Sequence, residues 1–151
     1  MKTFLDKNDI EEAKSRINSL KNTDKAQFGE FTVGKMLCHL IDSLSISYGL
    51  KGEKKAKKSF YTTALGKWFV ISSPFPWPKG KIKVPFDEFF ETKPNKDLEE
   101  DKKELIDLID RMKEIDSIKF TESPGFGELS KKQWCKLHCR HINHHLEQFG
   151  R

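Results

Sequence analysis

Apolar residues recur at helical spacing in four stretches of the chain. Ile10, Ala13, Ile17 and Leu20 predict a helix over about 8–20, with Asn8 or Asp9 placed to cap it. A second helix is predicted from an N-cap at Thr32 to about Tyr48. Its broad apolar face holds Val33, Met36, Leu37, Leu40, Ile41 and Leu44, and Gly49 stands where it stops. Leu105, Leu108, Ile109, Met112 and Ile115 line a third helix over about 98–115, whose N-terminus gains from Glu99, Glu100 and Asp101 through the helix dipole. The fourth opens at Ser130, with Gln133 at the capping-box position, and runs to Phe149 before Gly150.

The stretch between the second and third helices is less regular. "FYTTALGKWFVIS" predicts a shorter helix weakened by Gly66. "SPFPWPKGKIKVP" cannot be helical, because its prolines fix an extended path and delete amide donors. With no repeat and no strand ladder in the pattern, the expected fold is all-α: four main helices around one core, with 51–95 draped outside as loop and short helix. A crossover of that length suits helices that do not form a simple up-down hairpin.

Composition narrows the class. A chain of 151 residues with 36% hydrophobic and 34% charged residues is read as one water-soluble domain spanning 1–151, large enough to fold without staples. No apolar run approaches a membrane span, so no membrane partner is expected. The opening "MKTFLDKNDIEEAK" lacks the apolar stretch of a signal peptide, which points to the cytoplasm. Cys38, Cys135 and Cys139 are odd in number and read as small core residues rather than disulfide partners. The net charge of +5 comes largely from "KGEKKAKK". With no aromatic residue interleaved, that run reads as a solvated loop rather than a nucleic-acid patch, and no nucleic-acid partner is expected.

The histidines change the picture most. Four of the five, His138, His141, His144 and His145, lie in "WCKLHCRHINHHLEQFG", and the fifth is His39 in "KMLCHLIDSL". At about 100° per residue, His138, His141 and His145 share an arc of roughly 60° with Trp134 at the edge of the core stripe, while His144 points elsewhere. His39 lies beside the core stripe of its own helix. His141 and His145, four apart, present two imidazoles to one point, as in the zincin helix. A third histidine from a facing helix would complete a three-nitrogen site suited to zinc, nickel, iron or copper. Unlike the zincin motif, the pair encloses no acidic residue to serve as a base. Ser43 and Ser47 are rotated toward the core, where each can orient an imidazole or bond back to its own helix. Asp42 is expected to point away from the apolar stripe. Trp134 and the Phe75–Trp77 region are expected to wall the site.

"GFGELSKKQWCKLHCRHINHHLEQFG", "FGEFTVGKMLCHLIDSL" and "PFPWPKG" resemble the C-terminal, second-helix and crossover motifs of an uncharacterised branch of the DinB-like, or YfiT-like, superfamily. The resemblance covers about 28–150. It implies a four-helix bundle holding a divalent metal on one histidine of the second helix and two, four apart, of the last. Those positions are His39, His141 and His145, leaving His138 and His144 without a ligand role. The branch often carries His-Pro before its "FG", and here Ser123-Pro124 stands there. Some relatives in the superfamily are thiol-dependent transferases and isomerases using bacillithiol or mycothiol.

The implied function is a metal-dependent enzyme with zinc, nickel or iron as cofactor, acting on a small-molecule substrate as a monomer or homodimer. It would transfer a low-molecular-weight thiol to a small electrophile. The alternatives are a metal-dependent hydrolase and a non-catalytic, stress-related metal- or ligand-binding protein. A closed site recruiting Cys38 or His138 as fourth ligand would favour a structural metal.

Overall fold

Each long helix begins where a side chain can satisfy a free amide. In the computed structural model, which describes residues 1–80 and 97–151, Asp6 accepts from the Asn8 amide and starts α1, Lys7–Asn18. The predicted caps Asn8 and Asp9 are instead inside the helix, and the Asp9 carboxylate accepts from the Thr3 amide at 2.8 Å, tying down the N-terminal residues. Thr32 caps α2, Val33–Ser47, as expected. Ala64–Lys67 forms the short α3, flanked by a 3-10 turn at Phe60–Thr62 and a π turn at Trp68–Ser72. Asp97 caps α4, Leu98–Asp110, and Ser130 with Gln133 forms the predicted capping box of α5, Lys131–Gln148.

The third predicted helix is shorter than its apolar stripe. From Arg111 the backbone tightens into 3-10 turns through Ser117, with Glu114 outside helical φ/ψ. Met112 and Ile115 are three apart, so a three-residue turn keeps both on the side they would share in an α-helix. Periodicity alone does not separate the two.

α2 packs on α4 and α5, and α1 packs on the same pair, so the long helices touch in the cyclic order α1, α4, α2, α5. The main core lies between them and includes Ile10, Ile17, Leu37, Leu40, Leu44, Leu105, Ile109, Ile142 and Leu146. A second cluster joins Ile71 of the π turn to Phe126, Trp134 and Leu137, so the crossover is fastened to α5. The described residues are helical with no strand; the β-like pairing found there is an isolated bridge between Ser123 and Gly127. No described helix is long and apolar enough to cross a membrane. The basic run at 51–58 is largely exposed. The part of the expected crossover at 81–95 lies outside the described residues.

Asp42 departs from expectation: it is fully buried and pairs with Lys51. α2 has no solvent face along most of its length, since the segment after the 3-10 turns also lies against it. There Thr121 donates from its amide to the Ser47 carbonyl at 2.9 Å and from its hydroxyl to the Ile46 carbonyl at 2.7 Å. A helical wheel marks the most apolar face, and a central helix is covered on the others as well.

Candidate metal centre

The packing of α2 on α5 sets His39 against the pair His141 and His145. The three rings form a near-equilateral triangle, with centroids 4.9 Å (His39–His141), 5.0 Å (His39–His145) and 4.9 Å (His141–His145) apart. One ligand nitrogen from each lies within 4.8 Å of the others, and the Nε2 atoms of His39 and His141 are 2.9 Å apart. A tetrahedral ion with Zn–N bonds of about 2.0–2.1 Å holds its nitrogens about 3.3 Å apart. The one close pair lies a few tenths of an ångström below that value and no pair exceeds 4.8 Å, so the donor set can close on such an ion.

Burial keeps these imidazoles uncharged. Loss of solvation draws His39 down from an ordinary 6.5 to about 3, with His145 adding to it, and His145 down to about 4 against the opposing Gln148 contact, with His144 adding a little. His141 is held well below 6.5 for the same reason, with His145 and His39 adding to it. A neutral imidazole is the form that offers a lone pair to a metal.

Polar contacts orient the rings. Ser43 Oγ lies 3.4 Å from His141 Nδ1, and Gln148 Oε1 lies 3.0 Å from His145 Nδ1. Ser47 serves a different imidazole: its hydroxyl donates to the Leu44 carbonyl at 2.7 Å and so accepts from His138 Nε2 at 2.9 Å. Of the two roles open to each serine, Ser43 takes the first and Ser47 takes both.

Aromatic rings enclose the triangle. Phe31 packs on His39 (5.3 Å) and His145 (5.4 Å). Trp77 packs on His141 (5.9 Å) and His144 (5.6 Å), and Phe28 on His144 (5.3 Å). Arg140 holds the Trp77 segment in place, donating to the Ser73 carbonyl at 2.5 Å and to the Phe75 carbonyl, with its guanidinium 5.6 Å from the Trp77 ring. Phe75 itself is largely exposed. Trp134 stacks instead on His138 (5.1 Å) and Phe120 (5.5 Å), in the second core cluster. Ser123 closes a turn, accepting from the Phe126 amide.

Of the residues expected at the site, His39, His141 and His145 come together, with Ser43 and Trp77 beside them. His138 is turned to Ser47, and His144 sits between Phe28 and Trp77. Cys38, Cys135 and Cys139 are buried and form no disulfide, and among the described residues the ligand group consists of the three histidines. Phe28, Phe31 and Gln148 were not foreseen. For Gln148 a signal existed, since it lies three residues after His145 on the same helix face; for the phenylalanines, in the loop before α2, none did.

No curated protein and no solved structure matches the chain. A family model described as protein of unknown function (DUF1569) matches residues 1–151, and the chain belongs to that family.

Proposed function

We propose that the protein is a metal-dependent enzyme built on a DinB-like four-helix bundle, binding zinc, nickel or iron through His39, His141 and His145. Its reaction would transfer a low-molecular-weight thiol to a small electrophile. The observation that carries this reading is the buried triangle of three neutral imidazoles contributed by two helices far apart in sequence. The cyclic contact order of the long helices supports the bundle.

The donor set bears on the chemistry. Three neutral nitrogens leave a dication's charge uncompensated, which favours an anionic further ligand such as a thiolate. Bound there, the ion would lower the pKa of a thiol so that the nucleophile forms at neutral pH. The chain's own part is to keep the imidazoles unprotonated and oriented, and to limit water around them with Phe31 and Trp77. In the transfer a sulfur–carbon bond forms, the leaving group departs with its electron pair, and the thiol proton passes to solvent.

The test is metal content of the untagged protein, measured with H39A, H141A, H145A and H144A, alongside thiol consumption in the presence of a small alkylating electrophile. The three triad variants should lose metal while remaining helical, and His144→Ala should keep it. Metal-loaded protein should consume thiol faster than metal-free protein. Equal loss of metal in all four variants would make the cluster a diffuse chelating surface and end the triad reading.

A further inference from the structure

The tripeptide Gln-Phe-Gly occurs twice, at 27–29 ahead of α2 and at 148–150 at the end of α5, and the fold interlocks the two copies. The Gln27 amide donates to the Gln148 carbonyl at 2.7 Å, and Gln148 Nε2 donates to the Phe28 carbonyl at 2.7 Å. Each glycine leaves room for the other copy's glutamine. A Cβ on Gly29 would lie 2.4 Å from Gln148 Nε2, and one on Gly150 would lie 2.5 Å from Gln27 Nε2. Both glycines also have positive φ, +72° and +69°, where a side chain is strained in any case.

This interlock fixes which way round the Gln148 amide stands. A backbone carbonyl can only accept, so the nitrogen must face Phe28 and the oxygen must face His145 Nδ1, 3.0 Å away. An amide oxygen in turn can only accept, so His145 Nδ1 carries the hydrogen. In a neutral imidazole the lone pair is then on Nε2. The partner of His141 Nδ1 makes no such demand: Ser43 lies 3.4 Å away, and a hydroxyl can donate or accept.

We propose that Gln148 is a positioning residue for the three-histidine site: anchored on Phe28, its amide oxygen holds His145 in the Nδ1–H tautomer and leaves Nε2 as the nitrogen offered to a metal. The consequence for metal affinity rests on the function proposed above; the consequence for the tautomer does not. The glutamine is held by its hydrogen bond to the Phe28 carbonyl, in space that the missing Cβ of Gly29 leaves open.

The experiment reads the tautomer of each histidine by long-range 1H–15N NMR on the metal-free protein near neutral pH, and Zn2+ affinity by competition with a chromogenic chelator. Wild type should show His145 as Nδ1–H. Gln148→Met, similar in shape but without the acceptor, should shift His145 toward Nε2–H and weaken Zn2+ binding by about 10–100-fold, as outer-shell partners of metal-ligating histidines do. Gln148→Glu loses the donor to Phe28 but keeps an acceptor for His145, so it should retain the wild-type tautomer with an affinity between those of wild type and Gln148→Met. Gly29→Ala keeps the glutamine but occupies the place of its amide, and should behave like Gln148→Met. These two variants carry the test if Gln148→Met does not fold.

An unchanged His145 tautomer in Gln148→Met or Gly29→Ala overturns the proposal. So does equal loss of affinity in the Met and Glu variants with the tautomer unmoved, which would make Gln148 a packing residue. Should wild type bind no Zn2+ while the tautomer shifts as expected, the positioning role of Gln148 stands and the metal reading falls.

Discussion

Acidification should unfold the metal-free protein over a range set by its buried histidines. Burial lowers His39 and His138 to about 3 and His145 to about 4, against an ordinary value of 6.5. Between those limits the unfolded chain binds protons that the native protein refuses, so stability falls as the pH falls and is complete above about 6.5. At about pH 5 each of the three has moved about 1.5 units below the ordinary imidazole value, which costs about 2 kcal/mol apiece at about 1.4 kcal/mol per unit. Together they remove about 6 kcal/mol, comparable with the whole stability of an ordinary domain, about 5–15 kcal/mol. His141 acts in the same direction. Urea unfolding followed by circular dichroism, from about pH 8 down to about pH 4.5, measures this directly. The free energy should be level above about pH 7.5 and then fall, with these three histidines contributing up to about 4 kcal/mol per pH unit and His141 adding to the slope. Saturating Zn2+ should raise the curve near neutrality and lose that advantage on acidification, because protons and the cation compete for the same nitrogens. Stability equal within about 1 kcal/mol at pH 7.5 and pH 5 would refute the argument, since it would mean the imidazoles take up protons without leaving the folded interior.

Tyr48→Phe removes the phenol that donates to the Leu108 carbonyl at 2.9 Å inside the α2–α4 contact, and should cost about 1–3 kcal/mol in urea unfolding, with Zn2+ content unchanged. Burial raises the Cys135 and Cys139 thiols to about 11 and about 12; a disulfide reagent near neutral pH should leave both unmodified in native protein and react with them only on unfolding. Arg140→Ala frees the Ser73 and Phe75 carbonyls and the Trp77 ring, so exchange of the Ser73 amide, which donates to the Trp68 carbonyl at 2.8 Å, should quicken. Zn2+ affinity should change by less than about threefold, because Arg140 touches none of His39, His141 and His145 and neither Ser43 nor Gln148. Unchanged exchange there would show that the second core cluster alone holds the segment.

The sequence is legible where the controlling forces are local. Ser130 and Gln133 cap α5 with the groups of a single turn, and Thr32 does the same for α2. Their positions need no knowledge of the fold. His141 and His145 share a helix face for the same reason, through the pitch of the helix itself. The N-cap of α1 is harder to place, because three acidic or amide side chains, Asp6, Asn8 and Asp9, compete for the role. Asp6 takes it, and Asp9 is drawn to the Thr3 amide. The end of α4 was overextended because an apolar spacing of three fits both an α-helix and a 3-10 turn.

By itself the sequence determined the helical class, the positions of the long helices to within a turn except at the end of α4, and one histidine pair on one face. Periodicity and capping depend on neighbours within four residues, and these are all in the text of the chain. The meeting of His39 with His141 and His145, which the family resemblance implied and periodicity could not show, was decided by the tertiary packing of α2 against α5. Tertiary structure also decided that Asp42 is buried, that Phe31 and Trp77 cover the triangle, and that Gln148 reaches both Phe28 and His145. These depend on which surfaces meet after residues about a hundred apart are brought together. That choice is made by apolar area, which is nearly blind to direction, and only afterwards sharpened by the directional polar contacts that the site uses.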